Sequence, residues 1–123
     1  MVKLSGFRQR LGFDYTDTYS PVAKMATLRI LLALANQKGW HIHQMDVKCA
    51  FLNGTLDEEI FMRQPAGFEK EKNLVCRLKK AIYGLKQASR NWNQRFHDFM
   101  CKLDFKRSEY DFCLYKWSRY GVI

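Results

Sequence analysis

The sequence predicts an α+β fold in which helices pack on one face of a sheet. Three features point to it. Apolar residues recur at helical spacing in two stretches, residues 27–38 and 86–103. Short apolar or alternating stretches, bounded by Gly, Pro and Asn-Gly, read as strands and turns. The composition is globular, with 47% hydrophobic and 15% aromatic residues, enough for a core.

Taken in order, residues 1–12 are basic and punctuated by glycine, with Lys3, Arg8 and Arg10 near Phe7 and Leu11, as at the end of a strand and a turn. Residues 14–20 are rich in Tyr, Thr and Asp and read as a loop, which Pro21 closes. Thr27 is the expected N-cap of the first helix, whose Leu28, Leu31, Leu32 and Ala35 share a face and which Gly39 ends. Residues 40–46 read as a strand, Trp40, Ile42 and Gln44 alternating with His41, His43 and Met45. Asn53-Gly54 marks a turn, and strands are expected at 59–63, closed by Pro65 and Gly67, and at 74–78. The second helix carries Ala88, Trp92, Phe96, Phe99, Met100 and Leu103 on one broad apolar face. A last strand is expected at 112–117. No repeat or low-complexity linker interrupts the chain, so a single domain over residues 1–123 is the expectation.

Lys and Arg number 21 against 12 Asp and Glu, a formal charge of +9, and the pI is about 9.6. Such an excess favours a polyanionic partner through counterion release, although anionic membranes and RNA satisfy the same arithmetic. Cys49, Cys76, Cys101 and Cys113 form no C-x-x-C pair and no zinc-ligand spacing. Reduced thiols packed as small hydrophobes are expected, in an intracellular protein, cytoplasmic or nuclear and not secreted. The apolar run 30–35 is far too short to span a bilayer, so no membrane partner is expected.

Two constellations could carry chemistry. The first is Gln44-Met45-Asp46-Val47-Lys48-Cys49-Ala50-Phe51-Leu52-Asn53-Gly54. An aspartate following a strand can ligate a hard cation such as Mg²⁺, and Phe51 can return beside it if the chain turns. The plain alternative is a surface Asp and a core Phe. The second constellation runs from Lys79 to Trp92, where Lys79, Lys80, Lys86 and Arg90 flank Tyr83 and Gly84 at the start of the long helix. Free N–H groups at a helix start, with cations and an aromatic ring, suit phosphate and base contact. The alternative there is an amphipathic helix with a solvated basic face. Asp57, Glu58 and Glu59 read as a solvated turn, Asp111 as ordering a turn rather than binding metal, and His97 as a surface residue. His41 and His43 lack a third ligand, and Trp40, Trp92 and Trp117 read as core or near-core.

These stretches, with Tyr19-Ser20-Pro21-Val22-Ala23-Lys24, Glu59-Ile60-Phe61-Met62-Arg63-Gln64-Pro65, Gly67-Phe68 and Asp111 to Tyr115, resemble in order the reverse transcriptase of Ty1/copia retrotransposons. The resemblance implies a right-hand polymerase, fingers plus part of the palm, joined to the remainder of a polyprotein and working on an RNA or DNA template-primer and a deoxynucleoside triphosphate with Mg²⁺. It implies that Asp46 is the first palm aspartate, catalytic and metal-binding. Val47 matches the position whose backbone carbonyl helps hold the nucleotide-bound metal. Phe51 matches the aromatic gate against a ribose 2′-hydroxyl, and Gln87, with Leu85 and Lys86, the glutamine beside the incoming nucleotide. Lys79, Lys80, Lys86 and Arg90 are the expected nucleic-acid contacts. The family's basic fingers strand is represented here only by Lys3. Its Tyr-x-Asp-Asp motif is not found after Tyr115, nor are thumb and RNase H regions. The expectation is a fragment inactive by itself, with a non-catalytic nucleic-acid-binding module or a degenerate element remnant as the alternative.

Overall fold

The structure, a computed structural model, describes residues 6–117. The chain divides into two compact units, Met1–Ser20 with Cys49–Arg95, and Pro21–Lys48 with Phe96–Ile123.

The first unit is built on a hairpin, β1 (Phe61–Arg63) and β2 (Val75–Arg77), paired antiparallel with Met62 opposite Cys76. The pairing extends beyond the strands, since the Leu78 N–H donates to the Ile60 carbonyl at 2.8 Å and the Ala81 N–H to the Gly54 carbonyl at 3.0 Å. Side chains alternate along a strand, so Ile60 and Met62 turn inward while Phe61 and Arg63 face solvent. Ile60 joins Ala81, Leu85 and Ala88 in a small core, on which Phe51, Leu56, Leu78 and Ile82 pack. The exposed Arg77–Glu59 ion pair, at 2.7 Å, adds little to stability. The expected strands at 59–63 and 74–78 are thus present, trimmed to three residues each.

The expected helix at 86–103 is α2 (Ala88–Lys102), which begins in the first unit and ends in the second. The other helix of the second unit, α1 (Met25–Lys38), starts three residues earlier than an N-cap at Thr27 would have it. Thr27 is therefore not its N-cap. Lys24 holds that position without a side-chain cap, and Asp111 substitutes from far along the chain. The Asp111 carboxylate accepts from the Lys24 N–H at 3.1 Å, the Cys113 N–H at 2.9 Å and the Thr27 side chain. A negative charge at a helix N-terminus is favourable, and Asp111 is buried there. The turn-ordering role expected of Asp111 is present, with helix capping added. At the other end Gly39 adopts the left-handed conformation, φ 64°, which lets the Trp40 N–H reach the Ala35 carbonyl at 2.8 Å.

The apolar face of α1 exists but is largely uncovered. Ala35 is buried, whereas Leu28, Leu31 and Leu32 are exposed. Residues 40–46 correct the sequence expectation more sharply. They form no strand, and Trp40, Ile42 and Met45 are exposed. Alternation prepares a segment for a sheet, but a strand exists only through bonds to a neighbour, and none of the described residues supplies one.

The second unit also contains a hairpin that the sequence concealed. β3 (Phe105–Arg107) pairs antiparallel with β4 (Tyr115–Trp117), and Phe105 stacks on Trp117 at 6.2 Å. The strand expected at 112–117 is shortened because its first residues complete a turn, the Leu114 N–H donating to the Asp111 carbonyl at 3.0 Å. The described strands accordingly form two separate two-stranded ladders rather than one sheet with helices on a single face. His97 is half-buried rather than a bare surface residue. Its Nδ1 lies 3.1 Å from the Tyr115 hydroxyl, whose pKa burial pushes up. Trp40 and Trp117 are exposed, so of the three tryptophans only Trp92 approaches the core position expected of it. The four thiols are free, Cys76 and Cys113 half-buried as expected, Cys49 and Cys101 exposed against expectation. Among the described residues no helix is long and apolar enough to cross a membrane.

Candidate functional site

The segment from Ala81 to Ala88 organises the first unit. Ala81, Leu85 and Ala88 are buried, and two short turns, Leu85 N–H to Ile82 carbonyl and Ala88 N–H to Leu85 carbonyl, both 3.3 Å, lead into α2. The single 3-10 turn Gly6–Arg8 lies against it. A methyl group on Gly6 would run into the Gly84 carbonyl, so only glycine permits this approach of backbone to backbone.

That approach delivers Gln9. Its side chain accepts from the Lys86 N–H through Oε1 at 2.8 Å and donates from Nε2 to Gln87 Oε1 at 3.0 Å. Gln87 donates from Nε2 to the Asp14 carbonyl at 2.8 Å and, at 3.4 Å, to Glu58 Oε2. Gln87 is 1% exposed and Gln9 8%, so both amides are withdrawn from water and need these partners. The resemblance set Gln87 beside a nucleotide. The structure places it inside the unit, at the entrance to α2, with its amide held on both sides. Glu58, expected to be solvated, is half-buried and lies at that amide.

Phe51 lies in the single 3-10 turn Ala50–Asn53, half-buried, and stacks on Tyr83 with ring centroids 6.0 Å apart and planes 27° from parallel. It packs on the same core that contains Ala81, Leu85 and Ala88. Asn91 ties this region to α2, donating from Nδ2 to the Thr55 carbonyl at 2.7 Å. Phe51 and Gln87, far apart in sequence, therefore rest on one scaffold.

The four expected nucleic-acid contacts also belong to this unit, but they differ in what they touch. Lys79 and Lys80 are exposed. The Lys86 ammonium donates to the Gln9 carbonyl at 3.1 Å and the Tyr15 hydroxyl at 3.2 Å, and lies over the Tyr15 ring at 4.9 Å. Arg90 pairs through Nε with Asp17 Oδ2 at 3.1 Å. The Tyr19 N–H bonded to Asp17, with Arg90 beside it, holds the Asp17 carboxyl below its ordinary pKa. Two of the four cations are thus engaged by the loop that precedes Pro21.

Asp46 and Val47 belong to the second unit, and both are exposed. Among the described residues, no three His, Cys, Asp or Glu side chains come together as a group able to hold a metal ion. Asp46 by itself offers one carboxylate where a pair of dications needs several converging ligands, so the described residues do not fit a complete Mg²⁺ centre. Lys3 of the expected fingers strand lies outside the described residues.

Sequence reasoning did not single out Gln9, Asp14, Tyr15 or Asp17 as site residues. Each is a lone polar or aromatic residue in a loop, and loops carry no periodicity by which a partner some seventy positions away could be found.

A family model described as "Reverse transcriptase (RNA-dependent DNA polymerase)" matches residues 1–121. The chain is 45% identical over 114 residues to the retrovirus-related Pol polyprotein from transposon TNT 1-94 of Nicotiana tabacum, covering 91% of this chain and 9% of that protein. It is 44% identical over 116 residues to the corresponding polyprotein from transposon RE1 of Arabidopsis thaliana, covering 93% of this chain and 8% of that one. The transposon Ty1-H Gag-Pol polyprotein of Saccharomyces cerevisiae is 30% identical over 125 residues, covering 89% of this chain and 7% of the polyprotein. This chain thus spans less than a tenth of each of these relatives. No solved structure matches it.

Proposed function

Because the chain belongs to the reverse transcriptase (RNA-dependent DNA polymerase) family, in its copia-type retrotransposon branch, we propose that it supplies the fingers and part of the palm of an RNA-directed DNA polymerase. The observation that carries the reading is the scaffold at Ala81, Leu85 and Ala88. It supports both the Phe51–Tyr83 stack and Gln87, and the exposed Lys79 and Lys80 precede it directly.

In this reading Phe51 crowds the sugar of a deoxynucleoside triphosphate, and its stack on Tyr83 keeps the ring from swinging aside. Gln87 orders the nucleotide side of the scaffold. Lys79, Lys80, Lys86 and Arg90 attract the template-primer backbone, consistent with the net charge of +9. Asp46 is the palm aspartate, and Val47 presents its backbone carbonyl beside it. One carboxylate does not fit a Mg²⁺ pair. The further ligands belong to the remainder of a Pol polyprotein, this chain's proposed partner. Free thiols fit an intracellular location.

Template-primer extension with Mg²⁺ or Mn²⁺ tests the reading. The chain by itself is expected to bind nucleic acid with a steep salt dependence and to incorporate no deoxynucleotide. Within a polymerase that contains it, Asp46→Ala is expected to abolish extension without changing the fold. Extension retained in that variant refutes the assignment. Salt-insensitive binding, or none, refutes the nucleic-acid face.

A further inference from the structure

Four groups form a chain of hydrogen bonds with a fixed direction. The Lys86 N–H donates to Gln9 Oε1, Gln9 Nε2 donates to Gln87 Oε1, and Gln87 Nε2 donates to the Asp14 carbonyl, at 2.8, 3.0 and 2.8 Å. Both ends are backbone groups. An N–H can only donate and a carbonyl can only accept, so the ends fix which way round each amide sits. Reversing either glutamine would oppose two donors or two acceptors inside a site closed to water. We infer that Gln9 is a positioning residue for the nucleotide site: it locks the Gln87 side chain in one rotamer and one amide orientation, and through Lys86 fixes the turn that enters α2.

The inference rests on the polymerase reading only for its consequence. The relay itself stands on geometry. Gln9 reaches Lys86 and Gln87 because Gly6 lets its turn settle against Gly84, and the Lys86 ammonium closes the same loop from the other side through the Gln9 carbonyl. Gln87 carries no free N–H in this arrangement, since its second proton faces Glu58. Gln87 Oε1 accepts from Gln9, so Gln9 holds the buried Gln87 amide and, with it, the turn into α2 on which the nucleotide site stands.

A Gln9→Glu substitution tests the polarity directly. The ionised carboxylate is an acceptor at both oxygens, so it faces Gln87 Oε1 acceptor to acceptor. Once protonated it regains one donor and one acceptor, the pattern that Gln9 presents. The charged and titratable groups facing it are Lys86, Glu58, Asp14 and Tyr15, and the unsubstituted chain measured over the same pH range controls for them. The readout is exchange protection of the Gln87 side-chain amide by NMR. Protection is expected in the natural chain, lost in Gln9→Glu at pH 7, and recovered as the pH falls through the titration of the new carboxyl. Protection unchanged at pH 7 overturns the relay. Should Gln9→Glu fail to fold at pH 7, Gln9→Met keeps the shape without the polarity, and in it Gln87 amide exchange is expected to quicken, an unchanged rate again overturning the relay. In a polymerase containing this chain, Gln9→Met is expected to raise KM for deoxynucleotide about tenfold, the factor equivalent to one hydrogen bond, with template-primer affinity unchanged. A relay that behaves as stated beside an unmoved KM overturns the positioning role, and an equal loss of template-primer affinity overturns it in favour of general destabilisation. Asp46→Ala in the same polymerase tests the polymerase reading separately, since it leaves the relay untouched.

Discussion

Gly6→Ala is the substitution whose effect follows most directly from the packing. The added methyl meets the carbonyl of Gly84, and both are backbone, so no flexible side chain can swing away. Gly6 has no positive φ, so conformational strain does not enter and the effect is one of space alone. Overpacking of this kind costs about 1–3 kcal/mol, and two rigid backbones place it at the upper end. Moving the turn also withdraws Gln9 from Lys86 and Gln87, one half-buried and one buried bond worth about 1 kcal/mol each. The expected loss is therefore about 3–5 kcal/mol, a large share of what holds a small domain together. Urea unfolding followed by tryptophan fluorescence measures it, with Gly12→Ala as the comparison, because at Gly12 the methyl meets open space but a positive φ of 83°. Gly12→Ala is expected to lose only about 1 kcal/mol, the strain of that backbone. A Gly6→Ala chain that melts within about 1 kcal/mol of the natural one, at an unchanged m-value, would refute the close approach and with it the route by which Gln9 reaches its partners.

Other substitutions probe the remaining parts of the structure. Ile60→Ala should destabilise by about 2–3 kcal/mol, the low end for a buried aliphatic, because half-buried Leu56 and Leu78 can close on the void; a loss above about 4 kcal/mol in urea unfolding would show a more rigid core. Bonds from the Cys113 N–H, the Thr27 side chain and the Lys24 N–H hold the Asp111 carboxyl below its ordinary value of 3.8. A group depressed on folding stabilises fully above its unfolded pKa and loses that contribution as pH falls through the lower folded value. Thermal melts should therefore show an acid loss beginning near pH 4 that Asp111→Asn reduces, and an unchanged acid limb would dismiss the cap. In a polymerase containing this chain, Phe51→Val should raise ribonucleotide insertion by an order of magnitude or more, and Tyr83→Ala should do so more weakly by freeing the ring. Equal sugar selectivity in both would remove Phe51 as the gate.

Periodicity and motif made the two helices, the two strands of the first hairpin, the family and the candidate residues legible in the sequence alone. Those signals are local: a helix face repeats within a few residues, and a turn declares itself by Asn53-Gly54 or Gly39. What failed was whatever depends on a distant neighbour. Residues 40–46 alternate like a strand yet have none to pair with among the described residues, while β3 was too short to show any alternation and exists because β4 lies beside it. The N-cap of α1 was assigned to Thr27 from its type, whereas the carboxylate that serves that end comes from Asp111. The sequence alone singled out the residues proposed to bind metal, sugar and phosphate, because their identities lie in contiguous motifs. Only the tertiary structure decided that Gln87 is enclosed and bonded to Gln9, since a hydrogen bond between side chains 78 positions apart leaves no trace in either neighbourhood until folding brings the two amides together.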